Sequence, residues 1–182
     1  MIKASERLPG FDPEPIQPLK EGGESLKTAK AISLVAAASL VYCALCWGIT
    51  IAVTGSWSET IDASDLAAGA GSDLLSTYES PVDAMSIDIS ATAGNWGLDV
   101  KRIDSNWHGS LYLYAQRTSD GTGSGTITGG ESYTEVTTTD QSFFSGNDDR
   151  SNVTVQLKLT GVSIQVPIDV YTTSIYYTVT DQ

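Results

Sequence analysis

Cysteine is nearly absent from this chain of 182 residues: Cys43 and Cys46 lie in an uncharged N-terminal run, and no cysteine follows. No disulfide can staple the C-terminal part, so its stability must come from packing and sheet hydrogen bonds. That lack leaves a home outside the cytoplasm open and leans toward a prokaryotic envelope. Histidine is scarcer still. His108 alone falls short of a zinc site, which needs several imidazole or thiolate ligands, and no serine stands in a GxSxG-type frame that would make a hydrolytic triad with it. No GxxxxGK[ST] is present, and the glycines at 121, 123, 125, 129 and 130 are followed by neither the lysine nor the helix of a phosphate loop. We therefore expect no catalytic residue, no cofactor and no bound metal, and a chain that is not an enzyme.

Positive charge is the third shortage. Residues 1–30 balance five basic against five acidic groups, whereas beyond Val53 five basic residues face seventeen acidic ones, so the net charge of -12 falls wholly in the C-terminal part. Nucleic acid or an anionic lipid surface would be repelled at that density. A cationic partner face, or solubility outside the cell, fits it. The length allows one ordinary domain of about 100–150 residues plus appendages.

What is present begins with the uncharged stretch 31–53, interrupted only by Ser33, Ser39 and Thr50. As a helix its 23 residues extend about 34 Å, enough for a hydrocarbon core of about 30 Å. A helix apolar all round wants lipid or a very large core, and the rest of the chain cannot supply the latter. Tyr42, Trp47 and Trp57 form a partial aromatic anchor. Lys20, Lys27 and Lys30 precede the run while Glu59, Asp62 and Asp65 follow it. The positive-inside rule then puts 1–30 in the cytoplasm of a bacterium or archaeon and the remainder outside. A cleaved leader would have a shorter basic start, a shorter apolar core and a small-x-small site. Neither Leu40-Val41-Tyr42 before Cys43 nor Cys43-Ala44-Leu45 before Cys46 supplies a lipoprotein's small-residue pattern, and the charges after Gly22-Gly23 depart from a pilin-type leader. Ser33 with Ala37, and Ala44 with Gly48, set small residues four apart, a spacing that lets another helix approach. Cys43 and Cys46 share a helical face and are expected to pack as small hydrophobes.

The tail LPGFDPEPIQPLKEGGES holds four of the six prolines, which forbid a continuous helix. Phe11, Ile16 and Leu19, spaced along it, suit either a linker or an extended tail docked on a partner.

Downstream the hydrophobic period changes to two. MSIDISAT (85–92), NVTVQLKLT (152–160) and YTTSIYYTVT (171–180) alternate apolar and polar residues as half-buried antiparallel strands do. GLDVKRI (97–103), SLYLYAQ (110–116) and SYTEVTT (132–138) are less regular strands, and SWSETI (56–61) is a candidate first strand. Turn chemistry separates them at 94–95, 106–109, 119–130 and 145–149. Apolar positions are odd through Leu159 and even at Val162, Ile164 and Val166, so Gly161 should mark a bulge or a turn. Seven or so short strands predict an immunoglobulin-like antiparallel β-sandwich carried on a single N-terminal transmembrane helix. The divisions are a tail 1–30, a helix 31–53, a connector 54–84 and a sandwich 85–182.

YTTSIYYTVT following NVTVQLKLTG resembles the final strand pair of secreted prokaryotic surface and fimbrial sandwich domains, a likeness confined to that stretch. It implies a surface β-sandwich and no activity. Trp96 and Trp107, near turns, are candidates for partner docking, with a place in the core as the rival for at least one. Asn147, Asp148 and Asp149, with Asp140, offer oxygens but match no calcium loop. Asn152-Val153-Thr154 is a formal glycosylation sequon. The expectation is a non-catalytic single-pass subunit in membrane lipid, held among other integral membrane proteins of a larger complex, respiratory or photosynthetic complexes being possible hosts. The alternative is a filament or adhesion subunit that self-associates. Nucleic acid is no partner.

Overall fold

A computed structural model of the chain describes residues 48–182. The tail with Phe11, Ile16 and Leu19, and the expected helix as far as Trp47 with Ser33, Ala37, Ala44, Cys43 and Cys46, lie outside the described residues. The described part is mainly β, in two antiparallel sheets. Its strands are β1 Thr50–Gly55, β2 Thr77–Glu79, β3 Met85–Ser90, β4 Asn95–Asn106, β5 Tyr112–Arg117, β6 Ile127–Thr128, β7 Thr134–Glu135, β8 Gln141–Asn147, β9 Arg150–Thr160 and β10 Thr172–Asp181. One sheet runs β1-β3-β9-β5-β7, with β2 also paired to β9; the other runs β10-β4-β8-β6. Among the described residues no helix is long and apolar enough to cross a membrane.

β1 revises the reading of the apolar run. Thr50 to Val53 pair with β3, from Thr50 opposite Ser90 to Gly55 opposite Met85, so they are sheet and not helix. Ile49 and Ile51 pack against the core, and the β-branched Thr, Ile and Val of this stretch suit a pleated surface. SWSETI, expected as the first strand, is the irregular segment after β1. Trp57, expected at a membrane interface, packs on the sandwich core.

β2 and β3 lie along the same side of β9, and Ser80 carries the ladder across the gap between them. Its amide donates to the Leu157 carbonyl at 2.9 Å while its hydroxyl accepts from the Leu157 amide at 2.8 Å. A side-chain oxygen thus replaces the carbonyl that a continuous strand would offer, which keeps a buried backbone donor satisfied.

From β3 to β10 every strand lies in the opposite sheet from its predecessor, and no two consecutive strands pair. An immunoglobulin sandwich keeps several consecutive strands as neighbours in one sheet, so that finer expectation fails while the sandwich stands. Short corners, such as Asp148 and Asp149 between β8 and β9, throw the chain across the end of the sandwich. β9 and β10, whose sequences resemble a final strand pair, sit in different sheets.

The core lies between the sheets. Ile87, Ile89, Val153 and Val155 of one face meet Trp96, Leu98, Val100 and the paired rings of Phe143 and Phe144. Opposite Leu98 and Asp99 stand Phe144 and Ser142, so Phe143 is one residue too many for the ladder. The resulting bulge turns two consecutive phenylalanines inward, which a regular period of two forbids. Trp96, fully buried, packs edge-on to Phe144 with centroids 6.1 Å apart, and its indole N–H donates to the Asp148 carbonyl at 3.0 Å. Gly146 is paired opposite it, and a Cβ there would strike the indole ring. The parity break at Gly161 is a turn: the residue ends β9 at φ +83°, and 162–171 form no strand.

Candidate functional site

β1, β4 and β9 end at one pole of the sandwich, where β5 and β10 begin. The strands therefore deliver two long loops, 56–76 and 161–171, to the same place. Between them opens a cleft of about 930 Å³ whose walls include Trp57, Ile61, Trp107, Leu159, Val166 and Ile175. Trp57 and Trp107, flagged by the sequence for unrelated reasons, thus meet in one site. Trp107 donates its indole N–H to the Leu111 carbonyl at 2.9 Å, and the Arg102 guanidinium lies 4.9 Å from its ring centroid. Trp96, the other docking candidate, is core and presents nothing to a partner. The start of β1, with Gly48 beside it, lies at the opposite pole.

The loop 161–171 is apolar yet turned outward. Ile164 is 64%, Val170 79% and Ile168 106% exposed. Only Val162 is buried, so the even-numbered apolar set marks a loop with one inward anchor and not a strand face. Several bonds hold the loop in this display. The Asp73 carboxylate accepts from the Ile164 amide at 2.8 Å and the Ser163 hydroxyl at 2.9 Å. The Asn106 amide donates to the Val170 carbonyl at 2.9 Å and to Asp169 at 3.1 Å, and Tyr171 closes the loop through its hydroxyl to the Pro167 carbonyl at 2.6 Å. A loop fixed before contact loses less entropy on binding than a mobile one.

The charged side chains that line the cleft are acidic. Glu59 and Asp169 line it, and Asp62, Asp65 and Asp73 stand on the adjoining loop. Asp73 is held below the usual carboxylate range, first by the Ile164 amide, and Asp169 first by the Asn106 side chain. The five cations of the described residues are all engaged. Lys101 pairs with Asp140 at 3.0 Å, Arg102 with Asp104, and the buried Arg117 with Asp120 and Glu131. Arg150 donates to the carbonyls of Gly123 and Gly125, and the Lys158 ammonium lies 3.6 Å from the Tyr133 ring centroid.

Asp73 gives a pH prediction. Its folded pKa is depressed, so its contribution is complete above the ordinary value near 3.8 and fades as pH falls through the lower, folded value. The protection factor of the Ile164 amide, its exchange relative to the intrinsic rate at the same pH, should be high at neutral pH, should fall in acid, and should be lost already at neutral pH in Asp73→Ala. Equal protection in the variant would show that the carboxylate does not pin the loop.

The remaining candidates are dispersed. The His108 imidazole accepts from the Ser110 amide at 3.3 Å and stands beside Tyr171. Asp149 caps Thr92, Asn147 accepts from Thr126, and Asp140 serves Lys101. Among the described residues no three His, Cys, Asp or Glu side chains gather as metal ligands. Asn152 is an exposed residue at φ +58°, its backbone N–H donating to the Asp88 carboxylate at 2.6 Å. Compared with known protein families, curated proteins and solved structures, the chain matches none.

Proposed function

We propose that the chain is a non-catalytic, membrane-anchored subunit of a bacterial or archaeal envelope assembly, and that the sandwich binds a neighbouring protein outside the membrane. What carries this reading is the display of Ile164, Ile168 and Val170 on a pinned loop beside an apolar cleft. Large apolar side chains offered together to solvent mark an interaction surface. The anchor in this reading is shorter than the apolar run. With Thr50 to Val53 in the sheet and Gly48 and Ile49 leading into it, the segment left for lipid is 31–47, 17 residues. A helix of that length reaches about 25 Å, the short end of what spans a bilayer.

A second reading, self-association into a filament or adhesive surface, draws on β10. Among the described residues this ten-residue edge strand pairs only with β4, and it carries no lysine or proline to blunt its free side. Membrane fractionation, mild detergent extraction and mass spectrometry of the companions distinguish the two. The subunit reading predicts integral membrane proteins at fixed stoichiometry. Cross-linked ladders of this chain alone would overturn it in favour of the filament.

A further inference from the structure

We propose that the cleft receives a cationic amphipathic segment of the partner protein, its apolar side chains on Ile168 and Val170 and its lysines or arginines on Glu59 and Asp169. This rests on the reading that the sandwich binds another protein and adds the chemistry of what it binds.

Three observations select that occupant. The floor and the exposed loop are apolar, so the segment must bring side chains that gain by leaving water. The edge is acidic, and Asp169 stays ionised because the Asn106 side chain and the Val170 amide hold its carboxylate. A segment with positive charge flanking its apolar residues is steered in and kept in register by that edge, whereas an acidic one is rejected. Finally, each cation of the described residues already has an internal partner, so the same unit of a second copy offers no positive patch to complete the match. An anionic bilayer is disfavoured by the same edge. The volume of about 930 Å³ lies at the upper end for a ligand cleft, and its open side suits a chain segment that continues beyond it.

The test uses the full chain in mild detergent and a labelled synthetic peptide alternating leucine and lysine, followed by fluorescence anisotropy. Ile168→Asp in the same micelles serves as the reference for partition into detergent. Ile168 is fully exposed and Glu59 is exposed, so neither Ile168→Asp nor Glu59→Gln should disturb folding, which near-ultraviolet circular dichroism verifies. The lysine peptide should bind wild type and lose about tenfold in affinity in Ile168→Asp. Glu59→Gln should cost about two- to fivefold and flatten the salt dependence. The peptide with glutamate in place of lysine should not bind. Equal binding of both peptides, indifference to Ile168→Asp, or capture of phosphatidylcholine vesicles in preference to the peptide would each overturn the inference. Failure of the lysine peptide while the chain still co-purifies with membrane companions would sink this inference and leave the subunit reading standing. Specific peptide binding by a chain that has no such companions would do the reverse.

Discussion

Trp96→Ala should remove about 3–5 kcal/mol of stability, the range for deleting a large buried aromatic. Three losses combine. The indole is fully buried and packs edge-on against Phe144, so its removal leaves a cavity between the sheets where the bulged Phe143 and Phe144 have no room to follow inward. The Asp148 carbonyl loses its donor at the corner where the chain passes from β8 to β9. Gly146 opposite, kept free of a Cβ by the ring, would face empty space. Domains hold about 5–15 kcal/mol in total, so the variant should approach the unfolding threshold at ordinary temperature. Guanidinium titration of the full chain in detergent, followed by near-ultraviolet circular dichroism, reads the shift in midpoint. A change below about 1 kcal/mol, the size usual for an exposed site, would return Trp96 to the surface and revive it as a docking residue.

Gly161→Ala carries the second largest effect, and it links the fold to the cleft. At φ +83° a side chain is strained by about 1–2 kcal/mol. The added Cβ also runs into the Ser110 carbonyl, a backbone atom with no flexible end to swing aside. Overpacking of that kind costs about 1–3 kcal/mol more. The chain can relieve it only by moving the start of the loop that displays Ile164, Ile168 and Val170. Stability should therefore fall by about 2–5 kcal/mol, and affinity for the leucine-lysine peptide should fall with it even where the protein remains folded. Full stability together with full affinity would mean that the turn is not the fixed point from which the loop is hung.

These two positions also show what the sequence could and could not disclose. The parity change after Leu159 marks Gly161 correctly as a break, because a strand cannot change its inward face without one. β3, β10 and the stretch of β9 from Val153 to Leu157 are legible for the related reason that each alternates its inward and outward residues. β8 is not. Phe143 and Phe144 are adjacent, and Ser145, Gly146 and Asn147 have turn chemistry, so QSFFSGN reads as the approach to a loop. Only the bulge against β4 lets both rings turn inward. β1 is hidden by its neighbours: TIAVTG continues an apolar run, and hydropathy cannot tell a membrane helix from an edge strand when both are uncharged. Strand order lies further out of reach, since winding depends on which corners cross the sandwich and not on any single strand. The cleft is legible only in parts. Its loops are far apart in the chain, and Trp57 and Trp107 converge because β1 and β4 end at the same pole.

We propose that residues 31–47 hold the chain in lipid and leave the β unit outside the cytoplasm. Protease digestion of sealed, right-side-out membrane preparations, compared with inverted ones and read by mass spectrometry after alkaline carbonate washing, tests it directly. The chain should stay with the membrane pellet, keep its N-terminal segment, lose the β unit to protease only in right-side-out preparations, and lose the proline-rich tail only in inverted ones. A chain released by the wash, or one whose mature form starts after residue 47, would contradict it.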